Sequence, residues 1–137
     1  MKEYETLLDK AYINYLTSSH LYTLSLDDDA YINIIAYHLQ QALELAIKFV
    51  LEQNGVEYPR THDIEQLVLI ANKENVDLKL TEYIDDHQET FSSWEAKTRY
   101  VLNYYVDIKK IEKSLPEVKS YLDTIKNEYK DVGVVQE

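Results

Sequence analysis

Apolar residues recur every three or four positions over several stretches of this chain, with short polar runs between them. Leu7, Leu8, Ala11, Tyr12, Tyr15 and Leu16 form one stripe and predict a first helix from about Glu3 to about Tyr22. Ser25-Leu26-Asp27-Asp28 then has the form of a capping box, in which a serine oxygen accepts from an early amide of the next helix. That second helix is expected over Leu26 to Gln53, with Ile34, Ile35, Leu39, Ala42, Ala46, Phe49 and Val50 on its apolar face. Asn54-Gly55 ends it, since glycine accepts the left-handed conformation that closes a helix. Pro59 keeps the connection extended.

A third helix is expected from Thr61, a good N-cap, through Ile64, Leu67, Val68, Ile70 and Ala71 to about Lys73. The polar run Asn72 to Asp77 reads as a loop. Leu78, Leu80, Tyr83, Ile84 and His87 predict a fourth helix from about Leu78 to Ser92. The stretch from Phe91 to Val106 is ambiguous in period. The last helix should run from about Asp107 to about Lys130 on Ile108, Ile111, Leu115, Val118, Leu122 and Ile125. Ser114 to Glu117 repeats the capping-box pattern around Pro116, so this segment is either kinked or two abutting helices. Residues 131–137 read as a frayed tail. The pattern predicts an all-α fold, an antiparallel bundle of four to five helices in a single domain spanning residues 1–137.

Composition sharpens this picture. Two glycines and two prolines in 137 residues are too few for an all-β fold with its many turns. Cysteine is absent, which removes disulfides and thiol chemistry. The N-terminal MKEYETLLDK carries charges where a signal peptide needs an apolar core, and no uninterrupted apolar run approaches the ~20 residues of a membrane span. The expectation is a cytoplasmic protein that does not enter a membrane. Fourteen basic and twenty-five acidic side chains give a net charge of −11, which argues against nonspecific binding to polyanions. Lysines and acids also balance along the last helix, so it offers no basic stripe.

Candidate chemistry is sparse. Gln41, Glu44 and Lys48 share a helix face. Glu44 and Lys48 form either an intrahelical ion pair or, with Gln41, the wall of a polar groove. His62 sits where the third helix begins. It serves either as a local hydrogen-bonding group or as a ligand contact, because free amides at a helix start attract phosphate. Asp63 opposes an anion there and Arg60 favours one. Asp27, Asp28 and Asp29 suit the positive end of a helix dipole better than a metal site, since adjacent carboxylates there point apart. His20, His38 and His87 share no ligand spacing, so no metal site and no cofactor are expected. The aromatic set Phe91, Trp94, Tyr100, Tyr104 and Tyr105 is either core or interface.

Three pieces together, QQALELAIK at 40 to 48, THDIEQL at 61 to 67 and TRY at 98 to 100, resemble the HEPN family of small helical domains. The resemblance covers residues 36 to 67 in actual sequence and roughly 5 to 130 in helix plan. It implies a four- or five-helix bundle that pairs as a homodimer and is commonly encoded beside a minimal nucleotidyltransferase. Some members are metal-independent ribonuclease toxins, whose arginine is followed by a histidine after four to six residues. Here Arg99 is followed at those positions by Tyr104, Tyr105 and Val106, and no histidine lies beyond it. A tyrosine, with a reference pKa of about 10, exchanges protons poorly near neutral pH. In one toxin branch a tyrosine two residues past that histidine receives AMP from the partner; with Tyr104 in the histidine's place that position is Val106, so the pattern is not matched, although Tyr104 and Tyr105 lie near it.

The expected function is a noncatalytic, dimeric module that binds a nucleotide or a partner protein such as a nucleotidyltransferase. Arg99, Tyr100, His62, Lys48, Gln41 and Glu44 would form the binding site, and Trp94, Tyr104 and Tyr105 the interface. The first alternative is an endoribonuclease in which Arg99 stabilises transition-state charge and Tyr104, or a histidine from elsewhere, moves the proton. The second is a purely structural interaction domain.

Overall fold

The computed structural model describes residues 6–130, and the tail expected at 131–137 lies outside the described residues. Six α-helices account for most of the described chain: α1 (Leu7–Ser25), α2 (Ile32–Gln53), α3 (Ile64–Lys73), α4 (Glu82–Asp86), α5 (Gln88–Tyr100) and α6 (Ile108–Glu128). The four longest match the expected number of bundle helices, and the two shorter ones connect them.

Several helix ends follow local chemistry. Thr6 and Asp9 form a reciprocal capping box that opens α1. Gly55, at φ +68, closes α2 as expected: Val56 N donates to Leu51 O at 2.9 Å and Gly55 N to Glu52 O at 3.1 Å. Asn75, at φ 58, closes α3 in the same way, with Val76 N donating to Ala71 O at 2.9 Å.

Other ends correct the sequence reading. Ser25 does not cap α2. It is the last residue of α1, and its hydroxyl donates back to Tyr22 O at 2.7 Å. Asp28 instead caps a 3₁₀ turn at Asp29–Tyr31, which leads into α2 at Ile32. The α3 N-cap is Asp63, whose carboxylate accepts from Gln66 N, while Thr61 Oγ1 accepts from Asp63 N at 3.0 Å. The helix expected over Leu78 to Ser92 is divided at His87. Its Nδ1 donates to Tyr83 O at 2.7 Å and its ring stacks on Tyr83, which closes α4 before α5 begins. Around Pro116 the last helix is continuous, with Asp107 as its N-cap. Ser114 is buried beside Tyr83 rather than capping a new helix.

α2 is the centre of the fold and packs against α1, α3, α5 and α6. Ser18 pairs with Ile35 and Asn14 with His38, so α1 and α2 run antiparallel. Tyr12 pairs with Asp123 and Tyr22 with Glu112, so α1 and α6 also run antiparallel. Trp94, Tyr121, Phe49 and Phe91 are the largest fully buried side chains, and each such burial contributes on the order of 2–3 kcal/mol. The stretch Asp29–Gln53 is apolar and long enough to cross a membrane, but the bundle itself buries two-thirds of its most apolar window. Ile34 and Leu16, expected on apolar faces, are exposed instead.

Candidate functional site

Gln40, Glu44 and Lys48 lie four residues apart on α2 and therefore on one face. Glu44 is buried, with 3% of its side chain exposed. Burying a carboxylate costs several kcal/mol unless donors surround it. Three do: Gln40 Nε2 at 2.8 Å, Lys48 Nζ at 2.9 Å and His62 Nδ1 at 3.0 Å. A carboxylate can only accept, so His62 donates from Nδ1 and turns Nε2 outward. Gln40 also donates to the His62 carbonyl at 3.3 Å, which ties the 54–63 connection to α2. Lys48 lies 5.6 Å from the centre of the Tyr58 ring in that connection.

The outward Nε2 of His62 comes 3.9 Å from Glu95 Oε1 on α5. Glu95 forms an ion pair with Arg99 one turn later, and Arg99 Nε donates to the Glu95 carbonyl at 2.9 Å. The Arg99 guanidinium carbon is 4.8 Å from the ring centres of both Tyr37 and Tyr100. A continuous polar chain thus runs from Lys48 through Glu44, His62 and Glu95 to Arg99, and it joins α2, the 54–63 connection and α5.

A cleft of about 440 Å³ opens beside this chain, between the start of α3 and α5. Asp63, Glu65, Glu89 and Glu95 line it with His62 and Ser92, and among the described residues no lysine or arginine does. Such a wall repels an anion and suits a cationic group. The phosphate-binding reading of His62 loses support on this ground. Among the described residues, no three histidine, aspartate or glutamate side chains are grouped to hold a metal ion.

The fold brings together most of the residues singled out from sequence. Glu44, Lys48, His62, Arg99 and Tyr100 belong to one network, and Gln41 reaches it by donating to Gln40 Oε1 at 2.8 Å. Trp94 does not belong to an interface of the free protomer. It is 1% exposed and packs on Phe91 in the core. Tyr104 is half-buried under the Lys97 ammonium and is not bonded to Arg99 or His62. Tyr105 is exposed. His38 is tied to Asn14 at 2.8 Å, and burial lowers its pKa.

Tyr37, Glu95 and Asn33 escaped the sequence reading, and Gln40 entered it only as the first residue of QQALELAIK. The four-residue spacing of Glu95 and Arg99 was a usable signal for one of them. Asn33 had none. Its Nδ2 donates to Tyr104 O at 2.7 Å and its Oδ1 accepts from Val106 N at 3.1 Å, across more than seventy residues.

No curated protein and no solved structure shows significant similarity to the chain. The family model described as the HEPN domain matches residues 4–129. That match spans nearly the whole chain and agrees with the helical bundle, so the chain belongs to the HEPN domain family.

Proposed function

We propose that this HEPN domain is a noncatalytic binding module that works by pairing with other proteins. A second copy of itself and a nucleotidyltransferase-type subunit are the partners its family suggests. The observation that carries the reading is the surface at the end of α5. Tyr100, which stacks on Arg99, and Val101, Leu102 and Tyr105 after it are 70%, 49%, 91% and 80% exposed. Tyrosine and arginine within an apolar patch are the usual composition of a contact surface. Nucleotide or RNA is the weaker ligand class, because the adjoining cleft is acidic. The test is the mass of the native protein purified from its own host at low salt. A dimer, or a dimer with a second subunit, is the expected result, and a bare monomer overturns the reading.

One observation favours a second reading, RNA cleavage. The chain lacks a histidine after Arg99, yet His62 is coupled to Arg99 through Glu95. In this reading His62 Nε2 would accept the proton of a ribose 2′-hydroxyl as its oxygen attacks phosphorus, the phosphorus–O5′ bond would break, and the departing 5′-oxygen would take a proton from water. Incubation with total RNA separates the readings. The binding module leaves RNA intact in wild type, Arg99→Ala and His62→Ala alike, whereas cleavage by wild type that both variants lose would establish the nuclease.

A further inference from the structure

Gln40, Glu44, Lys48 and Glu52 stand four residues apart on α2 and form one polar row along it. The connection from α2 to α3 runs back along this row. Tyr58 Oη donates to Glu52 and its ring lies under the Lys48 ammonium. One step further back along the row, His62 Nδ1 donates to Glu44 and the His62 carbonyl accepts from Gln40. Among the described residues, 57–62 make no backbone–backbone hydrogen bond. Glu57, Pro59, Arg60 and His62 face solvent, while Val56 and Tyr58 are the apolar side chains that pack partly on the core. A segment with an exposed backbone and little buried apolar surface belongs to the low-stability end of a fold.

We propose that residues 57–62 are a strap that opens as one unit while the helices stay folded, and that its opening uncovers Glu44 and Lys48. Pro59, Arg60 and Thr61 are all that separates the two anchors, Tyr58 and His62, and Pro59 stiffens that span. Neither anchor can move far without drawing the other off the row. The row is itself joined, since Lys48 bonds Glu44 at 2.9 Å. With the strap closed, 3% of the Glu44 side chain and 14% of the Lys48 side chain are exposed. With it open, this buried ion pair faces solvent. Opening also withdraws His62 Nε2 from Glu95, 3.9 Å away, and Glu95 is the partner of Arg99. The strap therefore controls access to the Glu44–Lys48 pair and the surroundings of Arg99 together. It is a property of the protomer and goes beyond the binding-module reading, whichever partner that module takes.

The test uses the full chain and two reactions read by peptide mass. Trypsin cuts after Arg60, in the middle of the strap, and an acetylating reagent modifies the Lys48 amine beneath it. In wild type, cleavage after Arg60 is expected below the urea concentrations that unfold the protein, with a small fraction of the urea dependence of global unfolding, because little surface is exposed. His62→Ala and Tyr58→Phe are each expected to speed both reactions about fivefold, the factor that one lost hydrogen bond gives. Helical circular dichroism and acetylation of Lys73 and Lys113 should stay at wild-type values. Cleavage after Arg60 with the full urea dependence of global unfolding overturns the inference, and this wild-type measurement decides the matter even where a variant fails to fold. Variant effects confined to one end also overturn it: His62→Ala that leaves Lys48 acetylation unchanged, or Tyr58→Phe that leaves cleavage after Arg60 unchanged, shows that the anchors release separately.

Discussion

Glu44 and His62 are eighteen residues apart in the chain, and their side chains meet at 3.0 Å. The contact is asymmetric: 3% of the Glu44 side chain is exposed and 59% of the His62 side chain. The carboxylate is therefore the fixed member, and the imidazole is held by it at the edge of solvent. One consequence is that Glu44 stabilises the fold as well as the site. Glu44→Ala would leave the donors of Gln40 and Lys48 facing each other without an acceptor. Because Lys48 and His62 can still reach water, the loss is expected at about 2–3 kcal/mol rather than at the top of the range for broken buried pairs. His62→Ala should cost about 1 kcal/mol or less. Urea denaturation of both variants measures the difference, and equal losses would contradict the asymmetry.

Asn33 acts as a clamp on the segment between α5 and α6. Its amide uses both ends, Nδ2 on the Tyr104 carbonyl and Oδ1 on the Val106 amide. Asn33→Ala removes both bonds and should destabilise by about 1–2 kcal/mol. The local effect should be larger than the global one. Hydrogen exchange is expected to quicken at residues 101–107 well before it quickens in the α2 core. Unchanged exchange in that segment would mean that packing of Val106, and not Asn33, holds it.

How much of this could be read beforehand depends on the range of the interactions. The stripes of α1, α2 and α6 repeat within one helix, so the bundle was legible. Gly55 was legible because a left-handed residue at a helix end is a local requirement. The break at His87 was not, since it depends on a ring that stacks on Tyr83 and bonds its carbonyl. At Ser25 and Thr61 the residue type was right for a cap, but Asp28 and Asp63 hold the capping positions. The site behaved similarly. Glu44, His62 and Arg99 stood out by residue type and by family resemblance. Gln40 sits one turn before Glu44 on α2, so its bond to the carboxylate is local, whereas Glu95 is an ordinary helix residue until the fold brings α5 up to His62.

Trp94 and Tyr105 were grouped by sequence proximity and are separated by burial, 1% against 80% exposed. Trp94→Ala should therefore cost about 3–5 kcal/mol and endanger the fold. Tyr105→Asp should leave stability within about 0.5 kcal/mol. Thermal melts of the two single variants test this directly. Melting points lowered to the same degree would place Tyr105 in the core with Trp94.

The phenols of Tyr12 and Tyr121 set an alkaline limit on stability. Burial raises both pKa values above the usual 10. At Tyr12 the hydrogen bond to Asp123 and its negative charge add to the effect, and at Tyr121 so do Tyr129 and Asp77. A folded-state pKa above the unfolded one favours folding fully below about pH 10 and progressively less above it, because the unfolded chain then releases protons that the folded one retains. Absorbance at 295 nm should show these two phenols ionising only as helical circular dichroism is lost. The two also differ, since the Tyr12 hydroxyl donates to Asp123 at 2.7 Å whereas the buried Tyr121 hydroxyl has no partner among the described residues. Tyr12→Phe should cost about 1 kcal/mol at neutral pH, while Tyr121→Phe should be neutral or stabilising by about 1 kcal/mol. Each should flatten the loss of stability above pH 10. A Tyr121→Phe variant destabilised as much as Tyr12→Phe would show that the Tyr121 hydroxyl is hydrogen-bonded after all.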